Sequence, residues 1–506
     1  MMKKQYKVTL LIIIALLAAL ALVACGGGGE ATTTEQPTAP EQPAAQETTA
    51  EQPAAPEQPA AEQPAPTEEA VVEPVVELFG DPLRGGRLYD NWFEELGVDA
   101  PEGDQPLWAT QTSNTRSGAD TWRCKECHGW DYMGVDGAYG SGSHMTGFPG
   151  IIDLAGTPAA DILDMLKGST NPDHDFSSVM DEQALTDLAL FISEEMAPAN
   201  NVLDLSGDEA NGQTLFDDTC ADCHGPEGLA INFHSDAEPE YPATIANENP
   251  LELLNKVRFG QPGTEMPSAI DAGWSDQEMA DVIAYVATLP ESDPVVMGGR
   301  LYDNWMKALE MDPPEGDQPL WATQTSNTRS GEDTWRCKEC HGWDYMGVDG
   351  VYGSGSHMTG FPGIFAAQDK SAEEIMAALT AENHDFSLYM NEDQLNALVA
   401  FIQEGMIDKS QYINPDKTLV SGDAEAGKAL FSECAECHGD DGTAINFGHG
   451  DEKEYVGTVA SDNPWEFMNK ATFGQPSEQM PAGLRLGFSI DDILNLMAYA
   501  QTLPSE

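Results

Sequence analysis

The run Cys124-Lys-Glu-Cys-His128 returns as Cys220-Ala-Asp-Cys-His224, Cys337-Lys-Glu-Cys-His341 and Cys434-Ala-Glu-Cys-His438. Two thiols three positions apart can each bond a vinyl group of one haem, and the adjacent imidazole then reaches the iron. Zinc would need two such cysteine pairs sharing one metal, yet these pairs stand far apart in the chain, with no Cys-rich or His-rich segment between them. A redox dithiol has no use for histidine directly after its second cysteine. Four covalently bound haem c groups are therefore expected, attached through Cys124, Cys127, Cys220, Cys223, Cys337, Cys340, Cys434 and Cys437. Their irons would be held on one side by His128, His224, His341 and His438. Of nine cysteines in 506 residues only Cys25 is left over, so the chain has no thiol to spare for a disulfide, a nucleophile or a cysteine axial ligand.

The leftover cysteine has a place of its own. Residues 1–24 begin with Lys3, Lys4 and Lys7, continue as an apolar run from Val8 to Val23, and end in Leu22-Val23-Ala24-Cys25. That close resembles the lipobox of bacterial lipoproteins, whose cysteine becomes the lipid-bearing first residue after the leader is removed. The competing reading is an uncleaved anchor, for which the apolar run is short. Either one puts the rest of the chain outside the cytoplasmic membrane, periplasmic or at the cell surface. From residue 25 to about 80 the chain is Gly, then Glu, Gln, Pro, Ala and Thr in short repeats, a composition that buries almost nothing and is expected to be a disordered tether. Stretched at ~3.1 Å per residue, such a segment spans roughly 150 Å.

Asp+Glu number 86 against 23 Lys+Arg, a formal charge of −63. Nucleic acid and anionic lipid surfaces need a basic face and are excluded as partners. The charge suits a redox protein partner with a basic docking face; it equally suits plain solubility or a salty habitat, since the acids run along the whole chain.

Beyond the tether the chain repeats itself. Residues 101–151 and 314–364 are identical except at Ala119/Glu332 and Ala138/Val351, and the likeness extends outward to Gly85-Gly-Arg-Leu-Tyr-Asp-Asn-Trp92 and its copy Gly298 to Trp305. Residues 207–290 and 422–504 match more loosely. The unit is thus a pair of quarters duplicated at a period of about 213 residues. In each quarter a short helix with Gly four residues before an aromatic precedes the cysteine run: Gly85/Tyr89, Gly212/Phe216, Gly298/Tyr302 and Gly427/Phe431. A final helix closes each quarter with Phe191, Tyr285, Phe401 or Tyr499. In the second quarter Ser275 to Glu278 is a capping box before Met279, Val282, Ile283 and Val286, and Asn391 to Gln394 plays the same part in the third.

With these motifs in hand, each quarter resembles a class I c-type cytochrome: a first helix with Gly-x-x-x-aromatic, C-x-x-C-H-G, a loop that delivers an axial methionine, and a last helix crossing the first. The resemblance implies an all-α fold of four haem domains in tandem, at residues 81–200, 201–293, 294–415 and 416–506. It also implies hexacoordinate iron and single-electron transfer. A weaker likeness, resting mainly on Gly-Gly-Arg-Leu-Tyr-Asp-Asn-Trp, is to dihaem cytochromes of the thiosulfate dehydrogenase type. It leaves open an oxidoreductase with the first or third haem as its active site.

The sixth ligands follow from the same resemblance. Met266 in Phe-Gly-Gln-Pro-Gly-Thr-Glu-Met-Pro267 and Met480 in Phe-Gly-Gln-Pro-Ser-Glu-Gln-Met-Pro481 both lie 42 residues after their haem histidine, and the following proline keeps the loop out of helix. For the first and third haems Met180 and Met390 stand where the family places its ligand. His174 and His384 are their rivals, and the His144-Met145 and His357-Met358 loops are a third option. His234 and His449 read as surface residues. Arg123 and Arg336, with Arg116 and Arg329, are candidates to neutralise haem propionates. The near-identity of the inserts Gly97 to Trp122 and Met311 to Trp335 fits either recent duplication, which needs no function, or a shared role as a haem lid or a docking face. The whole reads as a membrane-tethered electron carrier.

Overall fold

A computed structural model of the chain describes residues 78–448, 453–478 and 480–505. The leader, Cys25, most of the tether and His449 lie outside the described residues.

One arrangement recurs four times. In the first quarter helix α1 (Pro82–Leu96) crosses α2 (Glu182–Leu190), and in the second α3 (Glu209–Thr219) crosses α4 (Asp276–Val286). In the third α5 (Pro294–Ala308) crosses α6 (Glu392–Ala400), and in the fourth α7 (Ala424–Leu430) crosses α8 (Ile490–Ala500). The glycine noted in each first helix marks the crossing. A Cβ at Gly85 would stand 2.2 Å from the Asp187 carbonyl oxygen, at Gly212 2.0 Å from that of Asp281, at Gly298 2.1 Å from that of Ala397 and at Gly427 1.8 Å from that of Asn495. Only glycine lets the two backbones meet there. The aromatic four residues later, one turn away on the same face, fills the space beside the contact: Tyr89 packs on Phe191, and Phe216 on Tyr285.

Polar groups fix the angle of three of these crossings. The Asp187 carboxylate accepts from the Asp81 backbone N–H at 2.8 Å and pairs with Arg84. Asp281 accepts from the Asp208 N–H at 2.7 Å, and the Asn495 side chain from the Asp423 N–H at 2.7 Å. In these three quarters the N-terminal donors of the first helix are satisfied from two sources, its own aspartate cap (Asp81, Asp208 or Asp423) and the last helix.

The buried apolar residues form four clusters, and those of the first and third quarters each recruit a phenylalanine from the quarter that follows, Phe259 and Phe473. The fold is helical, with one departure from the all-α expectation: a two-residue antiparallel pair, Thr380–Ala381 with His384–Asp385. No helix among the described residues is long and apolar enough to cross a membrane.

Candidate haem sites

Cys124–His128 is a single helical turn closed by Gly129 at φ 78°, and Gly225, Gly342 and Gly439 end the other three runs at φ 75–80°. In a helix positions i, i+3 and i+4 share a face, so both sulfurs and the imidazole of each run project to one side. The glycine then turns the chain away, in a region that a side chain would strain. In the first and third quarters the turn is held from beneath: the Tyr89 hydroxyl donates to the Gly129 carbonyl at 2.6 Å, and Tyr302 to Gly342 at 2.6 Å.

The imidazoles are oriented differently in odd and even quarters. His128 Nδ1 lies 2.8 Å from the Pro149 carbonyl and His341 Nδ1 2.8 Å from that of Pro362. A carbonyl only accepts, so Nδ1 carries the hydrogen and Nε2 keeps a free lone pair. Burial, partly opposed by that hydrogen bond, brings both imidazoles down to about 4, so they are neutral at pH 7. His224 and His438 have buried Nδ1 atoms with no partner among the described residues.

Opposite His128 stands His174, with ring centres 6.2 Å apart, and opposite His341 stands His384 at 6.3 Å. In the third quarter both rings line a largely apolar cavity of about 130 Å³, together with Cys337, Cys340, Trp335 and Phe386 among others. Met180 and Met390 are each 4% exposed and packed in the apolar clusters of their quarters, and Met390 does not line that cavity. Met145 and Met358 are exposed, while His144 and His357 stack on Tyr139 and Tyr352 at 4.8 Å. His234 is exposed, with Nδ1 3.1 Å from the Glu238 carbonyl.

In the even quarters the methionine loops are braced by an arginine from the preceding quarter. Arg300 of α5 donates to the Phe473 carbonyl and the Met480 carbonyl, both at 2.9 Å, and Arg87 of α1 donates to the Phe259 carbonyl at 3.2 Å.

A profile of the cytochrome c family matches residues 209–290. Over 90 residues, 17% of this chain and 99% of the relative, the sequence is 31% identical to cytochrome c-554(547) of Halothiobacillus neapolitanus. The chain belongs to the cytochrome c family. A solved thiosulfate dehydrogenase from Marichromatium purpuratum is 17% identical to this cytochrome, covering 74% of this chain and 86% of that one at a TM-score of 0.18, too low to bear on fold or function.

The residues of the cytochrome fit haem. Its eight described cysteines are all unpaired thiols. Burial pushes Cys124, Cys127, Cys337 and Cys340 up to about 12 and Cys220 and Cys434 to about 11. No cluster of three or more His, Cys, Asp or Glu that could hold a bare metal ion occurs among the described residues.

The arginines considered for propionates each meet a protein carboxylate. Arg123 pairs with Asp90 at 2.7 Å and Arg336 with Asp303 at 2.9 Å, while Arg116 pairs with Glu126 and Arg329 with Glu339. Glu126 and Glu339 sit inside the attachment motifs themselves, where Lys125 and Lys338 also reach them at 2.9 Å. The acid and the basic neighbour were both visible in the sequence; what was not is that the acid turns inward.

The insert of the first quarter packs against the loop that follows the attachment run. Trp108 is buried, donates to the Arg116 carbonyl at 2.9 Å and packs on Phe148. In the third quarter Gln318, Leu320 and Thr334 of the second insert line the cavity.

Proposed function

We propose that this cytochrome is a tetrahaem electron carrier, with one haem in each of the segments 81–200, 201–293, 294–415 and 416–506. A lipid at Cys25 and a tether reaching to about residue 80 hold it on the outer side of the cytoplasmic membrane. The observation that supports it most is the fourfold return of one local arrangement, a C-x-x-C-H turn closed by a positive-φ glycine beneath a glycine-spaced helix crossing. Bound haem supplies reversible one-electron exchange at iron. The chain's part is to hold the ligands still and keep water out, so that both oxidation states see one geometry. The Pro149 and Pro362 carbonyls orient His128 and His341, and the inserts cover the haem side of the odd quarters. Met266 and Met480 are the sixth ligands of the even quarters, the latter held through its carbonyl by Arg300. The redox partners are proteins with a basic docking face.

The test uses the full-length protein from a host that exports it and attaches haem. Mass mapping should find haem on all four cysteine pairs and lipid on Cys25. A potentiometric titration should resolve four components, and Met266→Ala and Met480→Ala should each remove one of high potential. If both variants titrate like the parent, these methionines are not ligands, and a colourless product rejects the haem reading outright. High-spin haem that binds and turns over thiosulfate would make the protein an oxidoreductase instead.

A further inference from the structure

We infer that the haems of the first and third quarters are held between two histidines, His128 with His174 and His341 with His384, and that Met180 and Met390 are core residues. This rests on the tetrahaem reading above and concerns which side chains close two of its sites.

The spacing is the first argument. With metal–imidazole nitrogen bonds of about 2.0 Å and ring centres about 1.1 Å behind each nitrogen, two imidazoles sharing one metal have centres about 6.2 Å apart. The observed separations are 6.2 Å and 6.3 Å. An edge-to-face packing pair falls in the same range, but His341 and His384 also line one apolar cavity together with both cysteines of the attachment run, Cys337 and Cys340.

The lone pairs are the second. His384 Nδ1 sits 2.9 Å from the Ala378 carbonyl, so it too carries its hydrogen at Nδ1 and leaves Nε2 bare. His341 does the same on the other side through Pro362. Donation of the far N–H to a carbonyl is the usual second interaction of a metal-bound histidine.

The third argument is that the spacing survives a change of loop. Eight residues lead from Leu166 to His174, by way of a 3-10 turn at Pro172–His174, whereas five lead from Leu379 to His384, which lies in the short antiparallel pair. Despite different lengths and conformations, the two rings arrive at the same distance. A glutamine of the insert secures each arrival by donating to the carbonyl just before the histidine, Gln105 to Asp173 at 2.9 Å and Gln318 to Asn383 at 2.6 Å. The inserts are therefore positioning segments for the second histidine.

The ring planes of each pair are 72° and 79° apart, so the paramagnetic resonance of the oxidised protein should show the strongly anisotropic low-spin signal of crossed axial planes. The deciding experiment compares His384→Ala and Met390→Leu in the full-length haem-loaded protein, read by that signal, by the methionine–iron charge-transfer band and by redox titration. His384→Ala should keep all four haems by mass, lose one anisotropic component and gain high-spin iron. Met390→Leu should change none of these, and in the parent the charge-transfer band should account for two haems, with the other two titrating at lower potential. A band accounting for four haems, or loss of a component in Met390→Leu with a parent-like His384→Ala, overturns the inference while the tetrahaem reading stands. Absence of haem mass at Cys124/Cys127 and Cys337/Cys340 overturns both.

Discussion

Asp303 is a carboxylate taken out of water and given two cations, Arg336 from its own quarter at 2.9 Å and Lys470 from the next at 2.6 Å. Burial pushes it up, but the two cations outweigh that and bring it down to about 2. A carboxyl lower in the folded than in the unfolded chain stabilises above its unfolded value and loses that contribution as pH falls toward the folded one. Stability from Asp303 should thus be full above about pH 4 and vanish toward pH 2. In Asp303→Asn the acid limb of a denaturant-midpoint-against-pH curve should flatten, with a loss at neutral pH of about 3 kcal/mol because two half-buried cations lose their buried partner. Lys409 is also lowered, so its slope has the same sign in a higher window, but here the shift costs stability at neutral pH instead of adding it. It is 1% exposed, donates to the Trp343 and Trp465 carbonyls and lies over Tyr345, and burial lowers it to about 7. Between about pH 7 and 10 the unfolded chain holds this proton and the folded one does not, so stability should rise across that window. Lys409→Met should remove the rise, measured as the same curve.

Among the elements, the first helices of the odd quarters carry two consecutive glycines with different duties. Gly85 and Gly298 serve the crossing within the quarter; Gly86 and Gly299 receive the next quarter's Phe259 and Phe473, whose rings would lie 2.4 Å and 2.5 Å from an added Cβ. Gly299→Ala should therefore cost about 1–3 kcal/mol by overpacking, visible in thermal unfolding. The first duty was legible in the chain because glycine and aromatic are four apart on one helix; the second was not, because its partner lies far along the sequence. The same limit governs the sites. The attachment turns and their histidines are local and could be read directly. The closeness of His174 to His128 depends on a loop tied down by Gln105, whereas Met180 came forward through the family resemblance, which places its ligand just before the last helix. Arginines adjacent to the haem runs looked free for propionates because Asp90 and Asp303 belong to the preceding helix, where nothing in their neighbours marks them as buried.

For the whole molecule, a charge of −63 implies that encounter with a basic partner is steered over long range. The bimolecular electron-transfer rate should fall steeply with added salt, as the Debye length shrinks to about 8 Å at physiological ionic strength; a rate indifferent to salt in stopped-flow measurements would assign the acids to solubility alone. Contacts also join the two halves of the duplication. Arg485 of the fourth quarter pairs with Asp293 and Glu227 at 2.6 Å, and Asp236 of the second accepts from Arg300 and from the Ser477 N–H.

Phe259 and Phe473 have a practical bearing on how the protein can be taken apart. A scissor cut between odd and even quarters pulls an aromatic plug from one body and leaves it bare on the other, so single-quarter fragments made this way are poor reporters of the quarter in situ. The smallest piece that keeps each plug seated is a pair of consecutive quarters, one half of the duplication.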